Sequence, residues 1–466
     1  MTNTGFSKLG LRLLDRMTDR APFWVPRLFQ RMLLGILGRP VVYQWYLRRY
    51  RKQWQSVRSP SKILLIVDIN IGDAVLGAQC LPLLQAEFPE AEVHLACNQS
   101  GGELLERMPG IFVHNMFRGM RGMPSNEDLA RLRALLHCER FSVVLNMCPF
   151  ISKRTLATHT HHQVLQLYVP FAAYVFRAWK TNEERHVSLL ARTFLHEFLE
   201  NHGAARMEHD EDRIGEFEQH LNTNAVYLGI DAIEDARQFL RTHNLRVGSG
   251  MIFYHVDATS RFGLVPFKVL VRLLRHALDN DEISSVLLGQ PFTFANLHEQ
   301  LIRAIPPELK KKLVVIPHVP LGVYTALMDA CDMFVAGDTG PLHIAACRKV
   351  SADGYPVLRN QTAVLAIYGA TDSRMYGYDS TLPYHVPANQ DVPSRSVAAP
   401  TPCRNITCIN KYGKFCQEVR CFDELPVSSI EAHIDSHFHR VAMNRPFQIT
   451  IPAADRSAIS ERAFAH

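Results

Sequence analysis

The hydrophobic positions of the chain fall into short, fully apolar runs separated by longer amphipathic stretches. The first run covers residues 63–67 and is bounded by Lys62 and Asp68. A continuous apolar run of this length is typical of a parallel strand that is buried on both faces of its sheet. Similar runs predict strands at 93–96, 111–115, 142–146, 251–255, 285–288, 313–316 and 333–336.

Between these runs the apolar residues recur at helical spacing. They predict helices at 74–88, 102–107, 127–138, 266–278, 295–305, 323–331 and 341–347. Strands that alternate with helices in this way predict an α/β fold with doubly wound sheets. The alternation occurs in two sets, and the residues between them, 180–245, are mostly helical by period and rich in charge.

The chain is too long for a single hydrophobic core, because 466 residues exceed the roughly 250–300 at which one core stops growing. We expect two Rossmann-like domains facing a cleft, in which ligands lie at the carboxyl ends of the strands. The expected segments are a basic amphipathic N-terminal extension (1–59), a first domain with a helical connector (60–245), a second domain (246–430) and a C-terminal helix and tail (431–466).

Positive charge is concentrated at the N-terminus. Residues 1–60 contain twelve Lys and Arg against two Asp, although the net charge of the whole chain is only +6. The pattern predicts that one end touches an anionic surface, and it argues against a nucleic-acid cleft in the body. Residues 5–56 also contain Trp24, Trp45 and Trp54, which favours a helix in the headgroup layer of a membrane. The alternative is a helical hairpin packed on the body with its basic face in water.

The sequence has neither an apolar stretch of spanning length nor a signal-peptide pattern. We therefore expect a cytoplasmic protein that is peripheral to the membrane.

The strongest chemical signal is the sequence Asp338-Thr339-Gly340-Pro341-Leu342-His343, which follows a predicted strand and opens a helix. Gly340 permits a tight turn and Pro341 suits the first helical position. The free N–H groups and the helix dipole then favour an anion such as a diphosphate. The alternative is an ordinary helix that is capped by Asp338 or Thr339.

A second signal, Asn70-Ile71-Gly72-Asp73, follows the first strand. A carboxylate at the carboxyl end of this strand faces the cleft and could remove a proton from an acceptor hydroxyl. Alternatively, Asp73 caps a helix that begins at Ala74.

Four cysteines near the C-terminus form a separate group, Cys403, Cys408, Cys416 and Cys421. In a cytoplasmic protein this group favours a small structural zinc or iron site over disulfides, although reduced thiols are a further alternative. No catalytic metal is expected, because the nearest match to an Asp-x-Asp ligand pair, at residues 210–212, lies in a charged helical stretch.

Together these segments resemble glycosyltransferase family 9, the lipopolysaccharide heptosyltransferase family. The resemblance covers about residues 60–425 and rests on the order and spacing of segments 62–73, 143–146, 255–260, 338–343 and 365–372. It implies a GT-B type fold, an inverting and metal-independent glycosyl transfer, and ADP-heptose as the usual donor. The first domain would then be the acceptor side and the second would bind the nucleotide sugar.

The resemblance also implies roles for single residues. Asp73 is similar in position to the family's catalytic base, with Asn70 and Gly72 beside it on the acceptor side. The implied contacts to the donor are Thr259, Ser260, Asp338, Thr339, Gly340, Pro341 and His343.

The chain departs from the family pattern in two places. The family usually has a Lys about three residues before the proline that matches Pro266, and this chain has Gly263 there. Arg261 is the candidate to neutralise the leaving diphosphate instead, with the different geometry of a guanidinium. The stretch 348–361 is longer than the family's usual link and is expected to be a surface loop at the donor rim.

The resemblance and the basic N-terminus together predict heptose transfer to a lipopolysaccharide core or another lipid-linked oligosaccharide at the inner face of the inner membrane. One alternative is a heptosyltransferase that modifies an autotransporter protein, since some of these enzymes are similar in having a cysteine cluster. Another is a non-catalytic protein that binds nucleotide sugars.

Overall fold

The computed structural model describes most of the chain from residue 59 to residue 444. The described residues are Gln44, Arg48, Lys52, Trp54, 59–67, 70–118, 124–148, 151, 153–157, 163–181, 186–200, 225–258, 263–289, 296–351, 354–359, 362–380, 393–400 and 420–444.

The first half contains a five-stranded parallel sheet in the order β3-β2-β1-β4-β5. Its strands are β1 (Lys62–Ile66), β2 (Glu92–Asn98), β3 (Ile111–Phe117), β4 (Val143–Asn146) and β5 (Gln163–Gln166). Its helices are α1 (Ile71–Gly77), α2 (Leu81–Glu87), α3 (Gln99–Leu105), α4 (Asn126–Glu139), α5 (Lys153–Leu156), α6 (Tyr168–Lys180) and α7 (Val187–Glu200). The apolar run at 63–67 gives the central strand, and its side chains enter cores on both faces of the sheet.

The second half contains a six-stranded parallel sheet in the order β13-β12-β10-β7-β8-β9. The strands of this half are β6 (Ala225–Leu228), β7 (Met251–His255), β8 (Ser285–Gly289), β9 (Leu313–Ile316), β10 (Met333–Gly337), β11 (Arg348–Ser351), β12 (Ala363–Tyr368) and β13 (Arg395–Ala398). The helices are α8 (Ile230–Thr242), α9 (Phe267–Asp279), α10 (Leu297–Ala304), α11 (Leu321–Ala330), α12 (Gly340–Ala346), α13 (Ser373–Tyr376) and α14 (Val427–Met443). Cores on both faces of the sheet cover its strands.

Three predicted elements differ in the structure. The helix expected over 74–88 begins earlier, at Ile71, and a 3-10 turn at Ala78–Cys80 divides it before α2, which has Pro82 in its first turn. Residues 225–242, expected in the connector of the first domain, pack on the second sheet, because the apolar side chains of β6 and α8 join its core. The stretch 348–361 is not wholly a surface loop, since β11 pairs in parallel with β6.

Trp54 has a different environment from the one predicted for the N-terminal segment. Gln44, Arg48 and Lys52 are helical and exposed, whereas the Trp54 ring is 2% exposed and packs against Phe88. A ring that is buried in the core of the first half is not available to a membrane. The prediction was wrong for this residue, and the alternative of a helix packed on the body holds there. No helix among the described residues is both long and apolar enough to cross a membrane.

Candidate active site

The candidate site lies where the strand orders of the two sheets reverse. Strand β1 lies between β2 and β4, and β7 and β10 are neighbours in the second sheet although they are not consecutive in the chain. The crevice at such a reversal, beyond the carboxyl ends of the strands, is where open α/β sheets bind ligands. Helix α1 follows β1 and α12 follows β10, so the N-termini of both helices are at these strand ends.

The first turns of α1 and α12 contact each other at two glycines, Gly72 and Gly340. A Cβ atom on Gly72 would lie 2.7 Å from Cδ2 of His343 and 3.2 Å from Cα of Gly340, and a Cβ on Gly340 would lie 2.2 Å from Cγ2 of Ile71. Neither position has room for a side chain without a shift of its neighbours. The glycines therefore allow the first turns of α1 and α12 to touch, one from each half of the molecule.

Asp73 lies in the first turn of α1, beside this contact. Its Oδ2 accepts a hydrogen bond of 3.0 Å from Nδ2 of Asn70, and its side chain is partly exposed. The helix begins at Ile71, so Asp73 does not cap a helix at Ala74, and the capping alternative is wrong. The carboxylate is held in place by Asn70 and remains accessible.

Thr339 and Asp338 do not cap α12 with their side chains. Thr339 occupies the N-cap position without a side-chain capping bond, and its buried Oγ1 has no hydrogen-bond partner among the described residues. The Asp338 carboxylate accepts a 2.7 Å bond from the hydroxyl of Thr371. Pro341 lies in the first turn, as expected. A buried hydroxyl without a partner is costly, and at a helix N-terminus it is suited to donate to an anionic ligand.

His343 connects α12 with the strands behind it. The ring is 5% exposed, its Cδ2 edge lies against Gly72, and its Nδ1 is 2.8 Å from the hydroxyl of Tyr378. Tyr378 was not predicted as a site residue, because it is 35 residues further along the chain and outside every motif. No pattern in the sequence indicates this pairing.

A second buried pair lies at the end of β7. Nδ1 of His255 is 2.8 Å from the hydroxyl of Tyr324, and burial lowers the pKa of His255 to about 4, with Asp257 opposing the shift. Burial also raises the pKa of Tyr324. Both side chains are therefore neutral near pH 7.

The loop after β7 is only partly described. Thr259, Ser260 and Arg261 lie outside the described residues, so their predicted roles remain predictions. Gly263 is described, and a Cβ there would lie 2.8 Å from the carbonyl oxygen of Asp338. A side chain at this position would therefore require a shift of the backbone.

Of the four clustered cysteines only Cys421 is described. It is a buried cysteine in the apolar core of the second half, and its Cβ lies 2.9 Å from where a Cβ on Gly369 would be. Cys403, Cys408 and Cys416 lie outside the described residues. No group of three or more metal-ligating side chains occurs in the described part of the chain. The structural metal site remains a prediction.

The chain is similar to solved heptosyltransferases. The E. coli ADP-heptose LPS heptosyltransferase II is 14% identical with a TM-score of 0.51, over 81% of this chain and 99% of that chain. A glycosyl transferase family 9 protein from Veillonella parvula is 13% identical with a TM-score of 0.53, over 82% of this chain and 97% of that one. The iron-containing dodecameric glycosyltransferase TibC from enterotoxigenic E. coli is more distant, at 8% identity and a TM-score of 0.41 over 83% and 77%. No curated protein sequence matches the chain.

These likenesses establish the fold. The described residues form a GT-B type α/β structure with two large parallel sheets and the β11-β6 pair, which confirms the predicted fold class for this part of the chain. The family model for glycosyltransferase family 9 (heptosyltransferase) matches residues 273–412. This match lies within residues 60–425, where the sequence was expected to resemble this family.

Proposed function

We propose that this protein transfers heptose, or a related sugar, from ADP-heptose to a lipid-linked acceptor such as a lipopolysaccharide core, by an inverting reaction without a catalytic metal. The observation that carries the proposal is the contact between α1 and α12. It places the accessible carboxylate of Asp73, which is held by Asn70, next to a helix N-terminus with the hydroxyl of Thr339, which has no partner among the described residues.

Asp73 acts as the general base in this proposal. The acceptor oxygen forms a bond to the anomeric carbon while its proton passes to the carboxylate of Asp73. The bond from that carbon to the diphosphate breaks on the opposite face, and ADP leaves. A single displacement of this kind inverts the anomeric centre. Asn70 keeps the carboxylate in place through its 3.0 Å hydrogen bond.

The α12 side receives the negative charge that develops on ADP. The Thr339 hydroxyl and the backbone N–H of Gly340 are the proposed donors, because Pro341 has no N–H and the N–H of Leu342 donates to the Thr339 carbonyl. Arg261 is the proposed cation. Asp338 contributes through its bond to Thr371, which keeps its carboxylate from turning towards the anion. A metal ion is not required for this step, because fixed donors and a cation supply the same charge stabilisation.

The acceptor and the location are proposed from the charge distribution. Twelve basic and two acidic residues in 1–60 suit an anionic, lipid-linked acceptor at the inner face of the inner membrane. The exposed Arg48 and Lys52 are consistent with this, although Trp54 is turned into the protein. A protein acceptor and a non-catalytic role in nucleotide-sugar binding are the alternatives.

The test measures ADP release and product formation with a panel of nucleotide sugars, with a lipid-linked core oligosaccharide or a protein as the acceptor. We expect turnover with ADP-heptose and the lipid-linked acceptor, with no loss in excess EDTA. Tight binding of ADP-heptose without turnover would support the non-catalytic alternative. Transfer to a protein acceptor alone would support the alternative of a protein heptosyltransferase. Restoration of EDTA-treated activity by Mg²⁺ or Mn²⁺ would contradict the metal-independent step.

A further inference from the structure

His343 lies at the junction of the two halves. Its ring packs against Gly72 of α1 and approaches the rings of Tyr376 and His186, with ring centroids 6.4 and 6.5 Å away. The carboxylate of Asp73 is on the residue next to Gly72. A His in this position can serve a ligand at the α12 N-terminus only if its ring orientation and its proton are fixed.

Tyr378 can fix both the ring orientation and the proton of His343. The phenol is 1% exposed, and its backbone is anchored on β13, where its N–H donates to Oγ of Ser396 at 2.8 Å and that hydroxyl donates back to the Tyr378 carbonyl at 3.1 Å. Among the described residues the Tyr378 hydroxyl has one hydrogen-bond partner, Nδ1 of His343 at 2.8 Å.

The direction of this hydrogen bond follows from the burial. A buried O–H without an acceptor is costly, so the Tyr378 proton must point to Nδ1 of His343. Burial raises the pKa of Tyr378 well above its usual value, so the hydroxyl keeps this proton at neutral pH. Nδ1 of His343 is then an acceptor, and in the neutral ring the proton is on Nε2.

We infer that Tyr378 is a positioning residue, which holds His343 as the Nε2–H tautomer in a fixed orientation against Gly72, so that the imidazole donates a hydrogen bond to the nucleotide-sugar donor. The inference deepens the proposed function and rests on it for the identity of the donor. The assignment of the tautomer rests on the geometry alone.

Tyr378 and His343 therefore have different roles, because Tyr378 holds the imidazole and the imidazole contacts the donor. Tyr378 is buried behind α12 and acts on the donor only through the imidazole. Its loss therefore leaves the other proposed donors of the site, the N–H of Gly340 and the hydroxyl of Thr339, in place. A single lost hydrogen bond of about 1 kcal/mol predicts an effect of about fivefold on donor affinity.

The experiment uses the full chain with ¹⁵N-labelled histidine, with the His343 signals assigned by their loss in His343→Gln. In the wild type we expect Nδ1 to be an unprotonated acceptor and Nε2 to carry the proton. In Tyr378→Phe we expect the Nδ1 signal to shift and KM for ADP-heptose to rise about fivefold, with kcat changed less. In the His343→Gln background, Tyr378→Phe should change KM by less than about twofold, because the side chain it positions is gone.

Tyr254→Phe is the matched control. This phenol is fully buried and donates to the carbonyl of Leu273 at 3.2 Å, so its loss costs a buried hydrogen bond away from His343. We expect the His343 signals and KM to remain as in the wild type.

A proton on Nδ1 in the wild type would overturn the inference even if Tyr378→Phe did not fold. So would unchanged nitrogen signals and an unchanged KM in Tyr378→Phe. If the predicted tautomer and shift are found but ADP-heptose is not turned over, the proposed function fails and the assignment of Tyr378 to His343 stands.

Discussion

The helices α1 and α12 are alike in their backbone and opposite in their chemistry. Each has seven residues, follows a central strand of its sheet, and carries a glycine in its first turn at the point of contact. On α1 the first turn presents a carboxylate that is held by Asn70. On α12 the carboxylate of Asp338 is engaged by Thr371, and the N-terminus presents the Thr339 hydroxyl.

This difference shows how a proton acceptor and an anion site can lie side by side. A free carboxylate at the N-terminus of α12 would repel a diphosphate. The first half keeps its carboxylate accessible for a proton, whereas the second keeps its own occupied by a hydroxyl. In the proposed chemistry, the α1 side of the glycine contact accepts the proton and the α12 side binds the diphosphate.

The largest expected effect comes from removing the proton acceptor. Asp73→Asn keeps the shape of the side chain but cannot take up a proton, so the transfer rate should fall by about 10²–10⁴. Steady-state kinetics with ADP-heptose and acceptor measure the change. Glu127→Gln, an exposed first-turn carboxylate on α4, is the control and should leave the rate unchanged. A rate for Asp73→Asn within a few-fold of the wild type would remove Asp73 from the mechanism.

The next effect is a pH dependence of stability that is caused by His255 in the second half. The folded pKa of His255 is lowered to about 4, below its ordinary value of about 6.5, because the ring is buried. The contribution of His255 to the free energy of unfolding is therefore complete above about pH 6.5. It is lost as the pH falls towards 4, where the free energy of unfolding is lower by about 3 kcal/mol. Urea unfolding at several pH values measures it.

The variant His255→Asn should unfold with a weaker dependence on pH over this range, because its amide can bond to Tyr324 but does not titrate. The same change at the exposed His318 provides a control for the substitution itself. An identical pH dependence in His255→Asn and the wild type would show that His255 is not buried in its neutral form.

The contact between the two helices should also tolerate little added volume. Gly340→Ala places a methyl group against Ile71 and should cost about 1–3 kcal/mol of unfolding free energy, or separate the halves and slow transfer. Thermal and urea unfolding measure the first effect and kinetics the second. In Gly229→Ala the methyl group would meet only the end of the flexible Arg107 side chain, so that variant should behave as the wild type. Full stability and activity in Gly340→Ala would mean that the halves do not need this approach.

The smallest effect concerns Thr339 in the protein without ligand. Thr339→Val removes a buried hydroxyl that has no partner among the described residues, so the unfolding free energy should be unchanged or higher by up to about 1 kcal/mol. Urea unfolding of the variant in the absence of nucleotide measures this. A clear loss of stability would mean that the hydroxyl is already bonded within the protein.

The apolar runs were sufficient to predict most strands and the two-sheet fold, because strands buried on both faces leave a strong signal. The same signal is weak in β11, whose residues Arg348–Ser351 are mostly polar, so β11 was expected to be a loop although it pairs with β6. The placement of Asp73 and Thr339 followed from their position after a strand. The pairs His343–Tyr378 and His255–Tyr324 join residues that are far apart in the chain, and only the folded structure brings them together.

The most direct test of the division across the glycine contact is the affinity for ADP, measured by calorimetry for Asp73→Asn and Thr339→Val. The account predicts that Asp73→Asn binds ADP within about twofold of the wild type, because the carboxylate serves the acceptor. It predicts that Thr339→Val binds ADP about five- to tenfold more weakly, because one hydrogen bond to the diphosphate, worth about 1 kcal/mol, is lost. Wild-type affinity in Thr339→Val, together with a large loss in Asp73→Asn, would contradict the account.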